Sequence, residues 1–235
     1  PDGTVTTPAG FSAGAVFAGL KTPGPDKRDL GILYSDGPCQ VAGTFTRNSV
    51  TSPSATLSRD IVNSGRAVRG VVANSGCANC CVGEQGLRDA EEMTSLAAGH
   101  IGASKDEVLI CSTGLIGVEL PMALVRQSIG DIRPTGQGGG DFARAIMTTD
   151  SRPKQVAVSV DVSGRRVTVG GAAKGVGMIH PNMATMLSVL TTDASVETAF
   201  LQRTLKHAAD RSFNMITIDG DTSTNDTLLV LANGG

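Results

Sequence analysis

The sequence predicts an α/β fold built on a mixed sheet. Three features carry that reading. Short apolar runs with strand character alternate with stretches of helical period through much of the chain. Residues 155–162 and 166–169 alternate apolar and polar almost strictly around Ser163-Gly164, which demands an antiparallel hairpin. Residues 107–111 form a strand that runs straight into Ser112-Thr113-Gly114, placing polar groups at the strand's C-terminal end, where α/β architectures bind ligands.

Taken in order, residues 1–26 are rich in glycine, proline and threonine and read as irregular, with one short strand inside 11–18. The apolar clusters 30–34 and 41–45 flank Ser35-Asp36-Gly37-Pro38, a turn by composition, so a pair of strands is expected there. Residues 68–73 are a short buried strand ending in an Asn74-Ser75-Gly76 turn. Over 84–98, Leu87, Ala90, Met93 and Ala97 fall on one helical face. After the strand at 107–111, residues 121–132 read as a helix with Pro121 at its start. Gly136-Gln137-Gly138-Gly139-Gly140 reads as a flexible break, an internal hinge, before a helix over 141–147. The hairpin then delivers the chain through Gly170-Gly171 to Lys174. Beyond it come a strand at 186–190, a helix at 196–210, a strand at 215–218, an acidic turn at 219–225 and a last strand at 227–232. No internal repeat or low-complexity segment is present.

Composition narrows the partners. Net charge is −2 across 235 residues, and the basic residues are scattered, which argues against nucleic acid and against a basic membrane surface. One tyrosine and no tryptophan leave little for base stacking. No apolar run approaches a membrane span, and residues 1–20 have neither a basic head nor a continuous apolar stretch, so a cytoplasmic protein with a small-molecule partner is expected. The chain opens on Pro1 rather than Met, and a start upstream is expected. Five cysteines, three of them crowded at Cys77, Cys80 and Cys81, are not a disulfide framework. Cys77-Ala78-Asn79-Cys80 has the spacing of half a zinc site or a redox pair, but no second such pair follows and the three histidines stand alone. Buried, inert thiols are the plainer expectation, and no metal is expected.

The chemistry concentrates in Lys174-Gly175-Val176-Gly177-Met178-Ile179-His180-Pro181-Asn182-Met183-Ala184-Thr185-Met186-Leu187. Glycines free the backbone, Pro181-Asn182 impose a turn, and a small residue meets a threonine that opens an apolar run. By residue type alone Thr185 is an ordinary β-branched strand residue. A threonine hydroxyl becomes a nucleophile when a base is adjacent, and cutting the chain before it supplies one in its own α-amine, whose reference pKa lies near neutrality. Gly175-Val176-Gly177 does not complete a dinucleotide fingerprint, because His180 stands in the third glycine's place. Ala173-Lys174-Gly175 lacks the hydroxyl residue of a phosphate-binding loop, and the run 219–230 departs from a calcium loop at Thr224 and Val230.

That stretch resembles the self-processing signature of the ornithine acetyltransferase family, the glutamate N-acetyltransferases of arginine biosynthesis. Other segments resemble the family's landmarks in the family's order: Asn74-Ser75-Gly76 with Gly83-Glu84-Gln85-Gly86, Ser112-Thr113-Gly114-Leu115-Ile116-Gly117, Ala145-Ile146-Met147-Thr148-Thr149-Asp150, and Asp219-Gly220-Asp221-Thr222-Ser223-Thr224-Asn225-Asp226. The resemblance covers essentially the whole chain. It implies a layered α/β sandwich, mixed sheets flanked by helices. It implies an autoproteolytic bond at Ala184-Thr185, giving an α segment 1–184 and the start of a β segment 185–235. Thr185 would be the nucleophile, Thr113 and Gly114 the oxyanion hole, and Lys174, Thr148 and Thr185 would contact substrate.

Acetyl would pass from N2-acetylornithine to glutamate through an acetyl-threonine, with no bound cofactor, and with acetyl-CoA a second acetyl donor in some relatives. A homo-oligomer of α/β pairs is implied. The family usually has Asn at the position of Cys77 and a small residue at Cys80. Its chain continues past the position of Gly235, so a substrate-binding glutamate and further polar contacts are expected beyond it. Two other readings stay open at the level of sequence: a self-processing aminopeptidase or amidase using water as acceptor, and a non-catalytic metal or redox module on Cys77, Cys80 and Cys81.

Overall fold

The computed structural model describes residues 3–24, 27–180 and 186–235. Among the described residues eight strands form one mixed sheet: β1 (Phe11–Val16), β2 (Leu30–Phe45), β3 (Val68–Cys77), β4 (Val108–Leu115), β5 (Lys154–Val162), β6 (Arg165–Lys174), β7 (Leu187–Thr192) and β8 (Thr227–Ala232). Their order is β4-β3-β2-β8-β7-β6-β5, with β1 added against β2. Among the described residues five α-helices accompany them: α1 (Pro53–Asn63), α2 (Glu84–Ile101), α3 (Met122–Ser128), α4 (Gly139–Ala145) and α5 (Thr198–Asp210). β3–β4 and β7–β8 are parallel, and the other pairings are antiparallel.

Alternation along the strands sorts the side chains into layers. Leu33, Val71, Ala73, Leu109 and Cys111 share one core with Val41, Ala172, Val189, Leu229 and Leu231, so both halves of the sheet turn a face to the same interior. The residues between them face outward: Ile32, Val72 and Ile110 pack on α2 and α3, while Ala42, Leu228 and Val230 pack on α5. The result is a layered sandwich, helices outside and strands within.

Several predicted elements change in the folded chain. The turn at Ser35-Asp36-Gly37-Pro38 is no turn; β2 runs through it as one strand of 16 residues. Its register shifts between Tyr34 and Cys39, where the strand leaves β3 as partner and takes up β8, so the turn-forming residues accommodate a change of neighbour rather than of direction. Likewise β3 continues through Asn74, Ser75 and Gly76, pairing with β4 as far as Cys77. Leu87 is 45% exposed although Ala90, Met93 and Ala97 on the predicted face are buried. The supposed hinge at 136–140 is pinned instead: Thr135 and Ala13 exchange backbone hydrogen bonds of 2.8 and 2.9 Å, and a Cβ on Gly138 would run into the Ala13 carbonyl. Residues 215–218 are not a strand. A single 3-10 turn at Phe213–Met215 leads into an exposed irregular run, because its apolar residues find neither a ladder nor a core. The hairpin is as predicted, its turn made by Ser163 and Gly164, both at positive φ.

Candidate active site

A cleft of about 600 Å³ opens where the C-terminal ends of β3, β4 and β6 converge. Thr113 and Gly114 enter it from β4, Lys174 from the end of β6, and Thr148 and Thr149 from the loop before β5. Lys21 and Thr22 close one side, and Ser223, Thr224 and Asn225, just before β8, close another. All of Thr113, Gly114, Thr148 and Lys174, predicted from sequence, therefore meet in one place. Thr185 and Ala184, with Pro181 and Asn182, lie outside the described residues. The chain is described again at Met186, whose amide donates to Asp226 Oδ1 at 2.6 Å and whose carbonyl accepts from Thr227 at 3.0 Å. Leu187, the next residue, pairs with Lys174.

Local backbone demands explain the Gly114 position. It has φ +133°, and a Cβ there would stand 2.5 Å from the Gly76 carbonyl oxygen. Gly76, at φ +103°, makes its own close approach to the Leu20 carbonyl. The ladder carries a bulge here, Cys77 pairing with both Thr113 and Leu115. Thr113 is buried, and its hydroxyl has no hydrogen-bond partner among the described residues.

Lys174 is only 6% exposed, and its ammonium makes no hydrogen bond with a described residue. Burial pushes its ammonium below the usual lysine range, against the pull of Asp150 and Asp226. Asp150 is itself occupied. Burial alone would raise its carboxyl, but the Gly175 amide at 3.0 Å, the Lys154 ammonium and the Thr148 amide at 3.3 Å together hold it below the usual carboxylate range. Asp150 thus ties the loop bearing Thr148 to the backbone just past Lys174. Asn225 fastens the opposite wall, its side-chain amide donating to Ala78 O at 2.6 Å and Ser112 O at 2.9 Å.

Sequence reasoning missed Lys21 and Asp29. Asp29 is fully buried and accepts four backbone amides, from Ala18, Gly19, Leu20 and Lys21, at 2.6 to 3.2 Å. That loop holds Lys21 over the cleft, with Nζ donating to Ser75 Oγ at 3.0 Å and to the Met147 carbonyl at 3.1 Å. Burial lowers the Lys21 ammonium from its usual range, and Asp29 and Asp150 pull the other way. An acid at the mouth of a strand, shortly after a glycine-rich loop, was the available signal.

The cysteines do not assemble a metal centre. Cys77 and Cys80 are buried while Cys81 is exposed, and Cys77 Sγ donates to the Val118 carbonyl at 3.1 Å. Among the described residues no three His, Cys, Asp or Glu side chains gather as ligands.

Helix-flanked layers of strands around one core, with a cleft at the strand ends, define a class shared with distant enzymes. The L-aminopeptidase D-Ala-esterase/amidase of Ochrobactrum anthropi, described as a variant of the Ntn hydrolase fold, superposes with a TM-score of 0.57 over 98% of this chain and 74% of its own. At 15% identity that likeness shows the fold alone. The chain belongs to the ArgJ family, whose sequence profile matches residues 12–235. It is 52% identical over 235 residues to the arginine biosynthesis bifunctional protein ArgJ of Dehalococcoides mccartyi, and it spans 58% of that protein's length. The ornithine acetyltransferase of Mycobacterium tuberculosis, solved in complex with ornithine, matches with a TM-score of 0.67 and 35% identity, over 79% of this chain and 96% of that one. Among the described residues no helix is long and apolar enough to cross a membrane.

Proposed function

We propose that this chain is the greater part of a self-processing acetyltransferase that moves acetyl from N2-acetylornithine to glutamate. The observation that carries the reading is the convergence of Thr113, Gly114, Thr148 and Lys174 on one cleft, with Met186, the residue after Thr185, bonded to Asp226 and its neighbour Leu187 paired with Lys174. Processing begins with the Thr185 hydroxyl attacking the Ala184 carbonyl; the resulting ester is hydrolysed, freeing the threonine α-amine. What supports a cut chain is a contrast of lengths. The solved ornithine acetyltransferase chain is shorter than this one, whereas the full ArgJ relative is longer.

In the transfer itself, the freed α-amine takes the hydroxyl proton as Thr185 Oγ attacks the acetyl carbonyl. The developing oxyanion is met by the Thr113 hydroxyl, unengaged among the described residues, and the Gly114 amide. Preorganised donors of this kind lower a barrier by roughly 3–4 kcal/mol each. The α-amine returns the proton to the departing ornithine amine, leaving acetyl-threonine. Glutamate's amine then attacks that ester and leaves as N-acetylglutamate. The Lys174 ammonium meets the substrate carboxylate, which recovers part of the desolvation that burial imposes. Neither half requires a bound cofactor, and acetyl-CoA is a candidate second donor. Two segments of one precursor make up each unit, the units assemble as homo-oligomers, and the setting is cytoplasmic.

The test is intact mass of the full-length precursor, wild type against Thr185→Ala. Wild type is expected to yield two pieces split between 184 and 185, and to gain one acetyl on the second piece with N-acetylornithine. The variant stays whole. A variant that still splits there, or a wild type that never takes up acetyl, defeats the mechanism.

A further inference from the structure

Two ammonium groups face the cleft, and among its described lining residues there is no aspartate or glutamate. The carboxylates behind its walls are engaged elsewhere: Asp29 by four amides, Asp150 by Lys154 and two amides, Asp226 by the Met186 amide. Lys174 accounts for one carboxylate under the reading above. Lys21 has no role in it, yet its position is firmly set. A buried acid folds the preceding loop around itself to place Lys21, and both of its hydrogen-bond partners, Ser75 Oγ and the Met147 carbonyl, are neutral. An ammonium has three N–H donors. Two are used, no described carboxylate lies within ion-pair distance, and the side chain borders the cleft. A half-buried charge so placed gains most from an anion that enters and departs with the ligand.

We propose that Lys21 forms a second anion subsite, which takes the side-chain carboxylate of glutamate and so makes the acceptor half-reaction selective for a dicarboxylic amino acid. The proposal rests on the acetyl-transfer reading and adds to it a division of labour. Lys174 serves the carboxylate common to donor and acceptor, and Lys21 serves the one that only the acceptor carries. The donor half-reaction does not need Lys21.

The experiment uses full-length processed protein carrying Lys21→Met or Lys21→Arg. Acetyl-enzyme formation from N-acetylornithine is followed by mass, and its discharge is compared with glutamate and with glutamine, which matches glutamate in shape without the charge. Wild type is expected to favour glutamate. Lys21→Met should load acetyl at the wild-type rate while KM for glutamate rises about tenfold or more, the scale of a hydrogen bond to a charged group. KM for glutamine should hardly move, and Lys21→Arg should restore much of the preference. An unchanged glutamate-to-glutamine ratio in Lys21→Met overturns the subsite, as does an equal loss in both half-reactions. If Lys21→Met does not fold, a Lys21→Arg protein that shows no preference for glutamate over glutamine overturns it equally. Failure of wild type to load acetyl at all defeats the acetyl-transfer reading itself, which separates the two outcomes.

Discussion

Replacing Lys174 with methionine should make the protein more stable and, under the function proposed above, weaken its hold on substrate. Lys174 is 6% exposed, and its ammonium is unsupported by any hydrogen bond to a described residue. The direction of its shift shows that burial outweighs the attraction of Asp150 and Asp226, so in the empty cleft the charge is a net cost. Methionine is close in volume and length and brings no charge to desolvate. Exchanging a buried, poorly compensated charge for an apolar side chain is commonly neutral to stabilising, and a gain of ~1–3 kcal/mol is expected. The pH dependence follows from the sign. A lysine whose folded pKa lies below its unfolded value penalises folding fully while both states are protonated. The penalty fades as pH rises from the folded value towards the ordinary lysine value. The gain from Lys174→Met should therefore be greatest at neutral pH and vanish in strong alkali. Thermal unfolding of ligand-free protein across pH measures it, and acetyl uptake measures the functional loss. A variant that melts below wild type at neutral pH would refute the reasoning.

Other perturbations reach the same cleft and the core behind it. Gly114→Ala puts a Cβ against the Gly76 backbone at a positive φ; a stability loss of about 2–4 kcal/mol in denaturant titration is expected, with transfer falling further than substrate binding. Asp150 carries a depressed folded pKa, so its contribution is present above the ordinary carboxylate value and lost as pH falls through the folded one; Asp150→Asn should lower stability at neutral pH and flatten the acid limb of the unfolding curve. Among the thiols, Cys81 is exposed, whereas burial pushes Cys39 up to about 11 and Cys111 up to about 12. Alkylation of native protein followed by peptide mass should mark Cys81 first and leave Cys39 and Cys111 unmarked; early labelling of Cys111 would contradict the packing described.

Local pattern was a good guide wherever one element answers to one environment. The β5–β6 hairpin announces itself because each strand keeps a period of two and the turn residues tolerate positive φ. Pattern failed where a segment answers to two environments. The four residues 35–38 inside β2 carry turn chemistry, yet the strand passes straight through them because its partner changes there, which no local window reveals. The glycines at 136–140 read as freedom, but Gly138 among them serves close packing against β1. The site was legible chiefly through resemblance, which pointed to Thr113, Gly114, Thr148 and Lys174; no spacing in the sequence brings together residues from separate elements in this way. Lys21 stayed hidden because a lone lysine in a glycine-rich loop is ordinarily solvated.

The positions of β7 and β8 bear on how such a protein can be made. Both follow residue 185 in sequence, and both are interior strands, laddered on each side between β2 and β6. A cut between 184 and 185 severs one peptide bond and none of that ladder, so the pieces stay together without a covalent link. Made separately, the first piece would present two raw strand edges, on β2 and β6, with nothing to fill the gap. Under the processing proposed above, the intact precursor would be the assembly jig for a two-chain product: translation as one chain would deliver both pieces in a fixed ratio and correct register, and the cut would be a finishing step on an already folded molecule.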